Sequence, residues 1–216
     1  MTVMQIVQQL FGSMGITMEI FFVTLITSLI LGLGLALIRM SKNPILSVIA
    51  KFYISVMRGT PLMLQLLVVY FGPFFIFGMQ ITPSYRLKAV LIGFALNYAA
   101  YFAEIYRGGI ESMPVGQYEA ARILGYSKAQ TFFRIILPQV IKRIMPSVTN
   151  EVVTLVKDTS LAFTVSYVEM FTIGKNLANS QTSFVPFVVA GVFYFLFNAI
   201  VDFVMGKAEK SMNYYR

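Results

Sequence analysis

The sequence predicts an all-α membrane protein with five transmembrane helices. Its mean hydropathy is +0.75, and 57% of its 216 residues are hydrophobic whereas 12% are charged. No class of soluble protein has this composition. Five separate stretches are apolar and long enough to cross a bilayer, and the loops between them are alternately rich and poor in basic residues. We therefore expect a single membrane-embedded domain, residues 1–216.

The predicted spans cover residues 16–38, 59–81, 89–106, 144–168 and 185–205. A helix needs ~20 apolar residues to cross a bilayer, and the third span is just long enough. The fourth span is the least hydrophobic, because Glu151, Lys157 and Asp158 interrupt it. The first nine residues contain neither Lys nor Arg, and no small-residue cleavage site follows them, so a cleaved signal peptide is not expected.

Small residues in two spans predict close helix packing. The first span contains Gly32, Gly34 and Ala36 near its end. The third carries alanine at every fourth position, namely Ala95, Ala99 and Ala103. Between the first two spans, basic and apolar residues alternate in a pattern typical of an amphipathic segment at the membrane surface. Pro61 and Pro73 predict bends in the second span.

The placement of Lys and Arg predicts the orientation of the spans. The loops after the first and third spans, together with the C-terminal tail, hold 13 of the 17 basic residues, and the loops after the second and fourth spans hold 3. Loops rich in Lys and Arg stay in the cytoplasm. We therefore expect the N-terminus outside and the C-terminus in the cytoplasm. This placement accounts for the net charge of +8 without nucleic-acid binding.

Missing residue types exclude several kinds of chemistry. The chain has no Cys and no His, which excludes disulfides, thiol nucleophiles, imidazole bases and Cys/His metal sites. It also lacks the G-x-x-x-x-G-K-[ST] motif, so another chain must bind the nucleotide if ATP is used. No internal repeat is visible, which argues against a secondary transporter built from inverted repeats.

The basic segment between the third and fourth spans, residues 114–138, predicts a short helix followed at once by another. Pro114 suits the start of the first helix, and Gly125 suits a left-handed stop at its end. Ser127 and Gln130 have the spacing of a capping box, so the second helix is expected to begin directly after the glycine. The segment therefore places a short helix below the membrane with a glycine hinge behind it.

The same segment resembles the signature loop of ABC importer permeases. That signature is Glu-Ala-Ala, three residues, Gly, nine residues and Ile-x-Leu-Pro, and it is met here by Glu119, Ala120, Ala121, Gly125, Ile135, Leu137 and Pro138. Arg58-Gly59-Thr60-Pro61 upstream and Lys157-Asp158-Thr159-Ser160-Leu161 downstream resemble the branch of the family that takes up polar amino acids. The likeness extends from about Gly15 to the C-terminus.

This resemblance implies that the short helix couples the chain to an ATPase. The residues expected to lie in a groove of that ATPase are Glu119, Ala120, Ala121, Leu124 and Gly125. Two cytoplasmic ATPase subunits would bind ATP and magnesium, so this chain is expected to be a transport subunit without catalytic residue, cofactor or metal.

The resemblance also implies the rest of the assembly. A second permease subunit, identical or related, is expected to complete the pathway in the lipid bilayer, and an extracytoplasmic binding protein is expected to deliver the amino acid. The implied location is the bacterial cytoplasmic (inner) membrane. Neither the amino acid nor the choice between homodimer and heterodimer follows from this chain.

Polar residues inside the third and fourth spans are candidates for the substrate pathway, because a charge at the bilayer centre costs ~2.5–3.5 kcal/mol. Each span carries one stripe of such residues at spacings of three, four and seven. The stripes are Asn97, Tyr101 and Glu104 in the third span and Glu151, Thr154 and Asp158 in the fourth. Two carboxylate-bearing faces of this kind can hold the ammonium group of an amino acid.

The charge of this site depends on Lys157, which leaves alternatives open. Lys157 can cancel one carboxylate or bind the carboxylate of the substrate, which would favour an uncharged polar substrate over a cationic one. The stripes can also form structural ion pairs, such as Glu104 with Arg107 three residues on. Two further functions stay open, namely an ion-driven secondary transporter with Glu104 and Asp158 as relays and a non-transporting membrane scaffold or sensor.

Overall fold

Residues 1–212, the part of the chain that this computed structural model describes, fold into helices and contain no strand. The α-helices are α1 (Val3–Arg39), α2 (Pro44–Gly59), α3 (Leu62–Phe77), α4 (Pro83–Glu111), α5 (Val115–Ile123), α6 (Lys128–Gln130), α7 (Leu137–Asp158), α8 (Met170–Gln181) and α9 (Val185–Ser211). A π-helix, Thr131–Ile136, joins α6 to α7, and a 3-10 helix, Thr159–Val165, follows α7. The predicted all-α class is confirmed for these residues.

Three single helices, α1, α4 and α9, are long and apolar enough to span a membrane. The pair α2 and α3 is a fourth candidate, although the two helices meet at 111°. The predicted fourth span, 144–168, corresponds to α7 and the 3-10 helix, and the charges within α7 keep it below the same threshold of hydropathy. The described residues therefore contain three or four candidate spans, and the count of five stays a prediction.

Within the predicted second span, 59–81, the helix α3 begins later and ends earlier than the span does. Residues up to Gly59 belong to α2, an amphipathic helix that begins at Pro44 and is capped by the side chain of Asn43. The chain breaks at Thr60 and Pro61 before α3 begins, because both residues have extended backbone. Gly78, with φ 65°, then ends α3. Pro61 thus marks the bend that the sequence predicted, whereas Pro73 lies inside α3.

Helix α1 is longer than the predicted span 16–38. It begins at Val3, where Thr2 and Gln5 form a capping box that the apolar pattern did not reveal. Helices α4 and α9 likewise extend beyond the predicted spans 89–106 and 185–205, whereas α7 begins before residue 144. Helices α1, α4 and α9 continue through the polar residues beyond each apolar stretch, so they are longer than the predicted spans.

Helix α4 lies at the centre of the bundle and contacts α1, α2, α3 and α7. Its alanine stripe is buried, as predicted, and so are Gly32 and Ala36 of α1. A Cβ added to Gly32 would lie 2.8 Å from the Cβ of Phe102 and 3.1 Å from the carbonyl oxygen of Ala99. Gly34 does not take part in this contact, because it faces an apolar groove with nothing within 4 Å of its own added Cβ.

Glu169, which the sequence analysis did not single out, is a fully buried carboxylate with a structural role. It caps α8 by accepting hydrogen bonds from the backbone N–H groups of Phe171 and Thr172, at 2.7 and 2.8 Å. The hydroxyl of Tyr194 on α9 donates to it at 3.0 Å. These bonds hold α8 against α9 and compensate the burial of the carboxylate.

The contact at Gly32 leads to a test of the helix packing. Gly32→Ala is expected to lower the thermal stability of the purified protein, because the new methyl group would push α1 and α4 apart, and overpacking of this kind costs ~1–3 kcal/mol. Gly34→Ala is the matched control, since it makes the same change in helix propensity where space is open. Equal melting temperatures of the two variants in one detergent would contradict the close contact.

Candidate functional site

The break between α2 and α3 is held together by side-chain amides. The Nε2 of Gln65 donates to the carbonyl oxygen of Met57 at 2.9 Å and to that of Thr60 at 3.1 Å. The Nδ2 of Asn97 on α4 donates to the same Met57 oxygen at 3.1 Å and to the Oε1 of Gln65 at 2.9 Å. The last carbonyls of a helix have no partner within the helix, so these donors satisfy the end of α2 and fasten the break to α4.

A polar cavity of about 170 Å³ lies beside this break. It is enclosed by α4, α7 and the start of α3, and its lining includes five of the seven predicted pathway residues, namely Asn97, Tyr101, Glu151, Thr154 and Asp158. Thr60, Leu62 and Tyr98 complete the lining. The structure therefore brings the two predicted stripes together, with two carboxylates and no basic residue among the residues that line the cavity.

Tyr98 is a cavity residue that the sequence analysis missed. Its side chain is almost fully buried, and its hydroxyl donates a hydrogen bond to the Oδ2 of Asp158 at 2.7 Å. The bond orients the carboxylate, and its other oxygen has no side-chain hydrogen bond among residues 1–212. Tyr98 and Tyr101 are three positions apart on α4, a spacing that places both on one side of the helix and that the sequence could have revealed.

Asn97 lines the cavity, but its amide hydrogens are already used. Both bonds from its Nδ2 go to the α2–α3 break, to Met57 and Gln65. Its side chain is 4% exposed. Asn97 therefore positions the wall of the cavity, and its carbonyl oxygen is the part that stays available for other bonds.

Glu104 does not line this cavity, so its predicted place beside Asp158 is wrong. Arg107 binds it through two hydrogen bonds of 3.1 and 2.6 Å, and Arg58 lies 3.9 Å away. Residues seven apart share a helix face but lie about two turns apart along the helix, which places Glu104 below the cavity that contains Asn97. The structural ion pair with Arg107 is the alternative that the structure bears out.

Lys157 also lies outside the cavity, and its side chain is exposed. Adjacent residues of a helix point about 100° apart, so Asp158 can face the cavity while Lys157 faces away. Its position outside the lining does not support a contact with a substrate carboxylate, whereas its charge still acts on the neighbouring Asp158, so its effect on the cavity charge stays a prediction. Arg58 lies beside the cavity wall, with its guanidinium 5.3 Å from the ring centre of Tyr101.

The signature loop forms the short helix α5, as predicted. Its end has the hydrogen bonds of a Schellman motif, from the N–H of Tyr126 to the oxygen of Ala121 at 3.0 Å and from the N–H of Gly125 to the oxygen of Arg122 at 3.1 Å. Gly125 has φ 78°, so the predicted left-handed stop is confirmed. The capping box at Ser127 is confirmed as well.

The exposed face of α5 differs from the predicted one. Ala121 is 2% exposed and packs within this chain, so it cannot contact a partner directly. Glu119 and Ala120 are exposed, and so are Ile123 and Leu124 at 87% and 73%. Such exposure of two large apolar side chains at one helix end is typical of a docking surface. Ile123 lies beside Leu124 on this exposed surface, although the sequence pattern did not predict a contact for Ile123.

A small apolar core lies where the loop meets α7. Met113 lies just before α5, Ile136 ends the π-helix and Val140 lies near the start of α7; all three are buried against one another. Arg143 of α7 also donates to the carbonyl oxygen of Ser112 at 2.8 Å. Because α7 carries Glu151 and Asp158, this core links the loop to the polar cavity through one continuous helix.

Comparisons with known proteins agree with the motifs. A family model described as "Binding-protein-dependent transport system inner membrane component" matches residues 28–214. The chain is 36% identical to the "Probable amino-acid permease protein YxeN" of Bacillus subtilis over 205 residues, which cover 94% of this chain and 91% of the relative. It is 35% identical to the "Nopaline transport system permease protein NocM" of Agrobacterium fabrum over 212 residues, which cover 95% and 88%.

A solved structure is similar over nearly the whole chain. It is the crystal structure of an amino acid ABC transporter with histidines, and a chain in it superposes with a TM-score of 0.87 at 29% identity. The match covers 98% of this chain and 99% of the other.

Proposed function

This chain belongs to the family of binding-protein-dependent transport system inner membrane components, and we propose that it forms the pathway for a cationic amino acid. It is a permease subunit of an amino-acid ABC transporter and is not itself an enzyme, since a partner ATPase hydrolyses the ATP. The observation that supports the substrate class is the cavity that contains Glu151 and Asp158.

The charge of this cavity favours a cationic substrate. Two carboxylates face it, and the residue that could have neutralised them, Lys157, faces away. Opposite charges attract more strongly where water is scarce, so an ammonium or guanidinium group is a better occupant than a second carboxylate. We assign Glu151 and Asp158 to the cationic group of the substrate, and Tyr101 and Thr154 to hydrogen bonds with it.

The coupling part of the proposal rests on α5. We propose that Glu119, Ala120, Leu124 and the neighbouring Ile123 lie in a groove of the ATPase, and that Ala121 and Gly125 give α5 its shape. Two ATPases that close on ATP would draw two such helices together. The apolar core at Met113 would pass the movement to α7, and the bundle would then open the cavity to the other side of the membrane.

The proposed topology has five spans, with α7 and the 3-10 helix as the fourth. Three polar residues of α7, Glu151, Thr154 and Asp158, line the cavity, whereas Val148, Val152 and Leu155 are buried in the core, so α7 can cross the membrane despite its low hydropathy. The charge count supports a cytoplasmic α5 and C-terminus, although Arg216, which it includes, lies outside the described residues. A second permease subunit and an external binding protein complete the proposed importer.

Accessible single cysteines test this orientation, since the chain has no Cys of its own. Ser84 and Ala129 are exposed. Ser84 lies at the start of α4, on the proposed outer side, and Ala129 lies in α6, on the proposed cytoplasmic side. Ser84→Cys is expected to react with a membrane-impermeant maleimide from outside the cell, and Ala129→Cys only after the cytoplasmic side is opened. The opposite pattern would contradict the proposed orientation.

Coupling through α5 can be tested at Gly125. Gly125→Ile is expected to abolish stimulation of the partner ATPase by loaded binding protein while the chain still inserts, because a β-branched residue at φ 78° is strained and would misplace α5. Gly108→Ile is the matched control, because Gly108 is helical, exposed and has nothing within 4 Å of an added Cβ. Normal ATPase stimulation in Gly125→Ile would argue against a coupling role for this turn.

The substrate assignment predicts different effects of two neutralised carboxylates. Asp158→Asn keeps an acceptor for Tyr98 and is expected to lower ATP-driven arginine uptake about tenfold or more relative to glutamine and glutamate uptake, because a hydrogen bond to a charged group contributes ~1.5–3 kcal/mol. Glu104→Gln is expected to affect the three amino acids alike, since Glu104 holds Arg58 and Arg107. Equal loss of all three in Asp158→Asn would show that Asp158 is structural.

A further inference from the structure

A second and larger cavity, of about 490 Å³, lies where α1, α2 and α4 meet. Its charged lining residues are Arg39, Lys51, Arg58, Arg107 and Glu104. Four cations therefore share one carboxylate. The polar cavity that contains Glu151 and Asp158 has an excess of negative charge, so the two cavities are suited to ligands of opposite charge.

Two of the four cations, Arg58 and Arg107, pair with carboxylates, whereas Arg39 and Lys51 have no carboxylate within 4.0 Å among residues 1–212. Arg107 is bound to Glu104 and Glu111, and Arg58 lies near Glu104 and Tyr101. Arg39 donates from Nη1 to the hydroxyl of Ser47, but its Nε is buried and has no hydrogen-bond partner among residues 1–212. Four basic side chains around one carboxylate leave an excess of positive charge, so the cavity is suited to an anion.

The position of the cavity indicates the source of that anion. Arg39 directly follows the predicted first span and Arg107 directly follows the predicted third, so in the proposed topology both lie at the level of the cytoplasmic headgroups. Val48 lies three positions before Lys51 on the same side of α2, Phe52 is the next residue, and the two are 64% and 72% exposed. Phosphate next to apolar chains is the chemistry of a phospholipid, and basic pockets between helices on this side bind such headgroups.

We propose that the cavity formed by Arg39, Lys51, Arg58 and Arg107 binds the phosphate of an anionic phospholipid, with acyl chains along Val48 and Phe52. The phosphate would accept hydrogen bonds from the guanidinium groups that line the cavity and would pair with Lys51. It would thereby fasten α2 to the ends of α1 and α4. This site depends on the proposed topology but not on the substrate class or on coupling to the ATPase.

Native mass spectrometry of the assembled transporter tests the lipid site. Dioleoylphosphatidylglycerol and dioleoylphosphatidylcholine are titrated separately into the detergent-solubilised complex, and bound lipid per complex is counted. We expect the complex to retain phosphatidylglycerol in preference to phosphatidylcholine. Lys51→Gln is expected to weaken phosphatidylglycerol binding about fivefold, the effect of one basic residue near a membrane surface. Lys51 is exposed, so the fold should tolerate this change.

Lys42→Gln is the control, because it removes the same charge from an exposed residue that does not line the cavity. Equal binding of the two lipids, or equal affinities of Lys51→Gln and Lys42→Gln, would overturn the proposal. Displacement of the anionic lipid by millimolar inorganic phosphate would also overturn it in favour of a site for soluble anions. The readout is lipid binding without transport, so a failure here would leave the uptake predictions standing.

Discussion

The carbonyl oxygens at the end of α2 impose the constraint on which the rest of the site depends. A broken helix must find donors for its last carbonyls, because these have no partner within the helix. Gln65 and Asn97 supply those donors, and Asn97 does so from another helix. The break is thereby fixed against α4, and Thr60 forms part of one cavity while Arg58 forms part of another.

This arrangement separates two cavities of opposite charge within a short distance. Tyr101 lines the acidic cavity and carries the guanidinium of Arg58 over its ring, and Arg58 in turn faces Glu104. The acidic side is shared between α4 and α7, whereas the basic side is shared between α1, α2 and α4. A movement of α7 relative to α4 would therefore change the acidic cavity first. The apolar core of Met113, Ile136 and Val140, beside α5, is the element through which the proposed coupling would reach α7.

Features that depend on residues close together in the sequence could be predicted. Features that depend on contacts between distant parts of the chain could not. The stop at Gly125, the capping box at Ser127 and the close contact at Gly32 all follow from residues near in sequence or from size alone. Glu104 was assigned to the wrong cavity because helical spacing predicts which face of α4 a residue lies on but not its position along the helix axis relative to a cavity. Its partner Arg58 also lies on another helix. The roles of Asn97 and Ala121 likewise depend on the residues that pack against them, and the periodicity of the sequence does not predict those residues. The 111° break was predicted only as a bend at Pro61, since a proline marks a break without setting its angle.

The central claim is that this chain moves an amino acid through the acidic cavity at the expense of ATP hydrolysed by a partner. The most direct measurement is uptake of radiolabelled arginine into proteoliposomes that contain this chain, its second permease subunit and its ATPase, with binding protein outside and ATP inside. We expect uptake to require both ATP and binding protein and to be independent of any ion gradient. Uptake that follows a proton or sodium gradient without nucleotide, or no uptake of any amino acid by the complete assembly, would contradict the account.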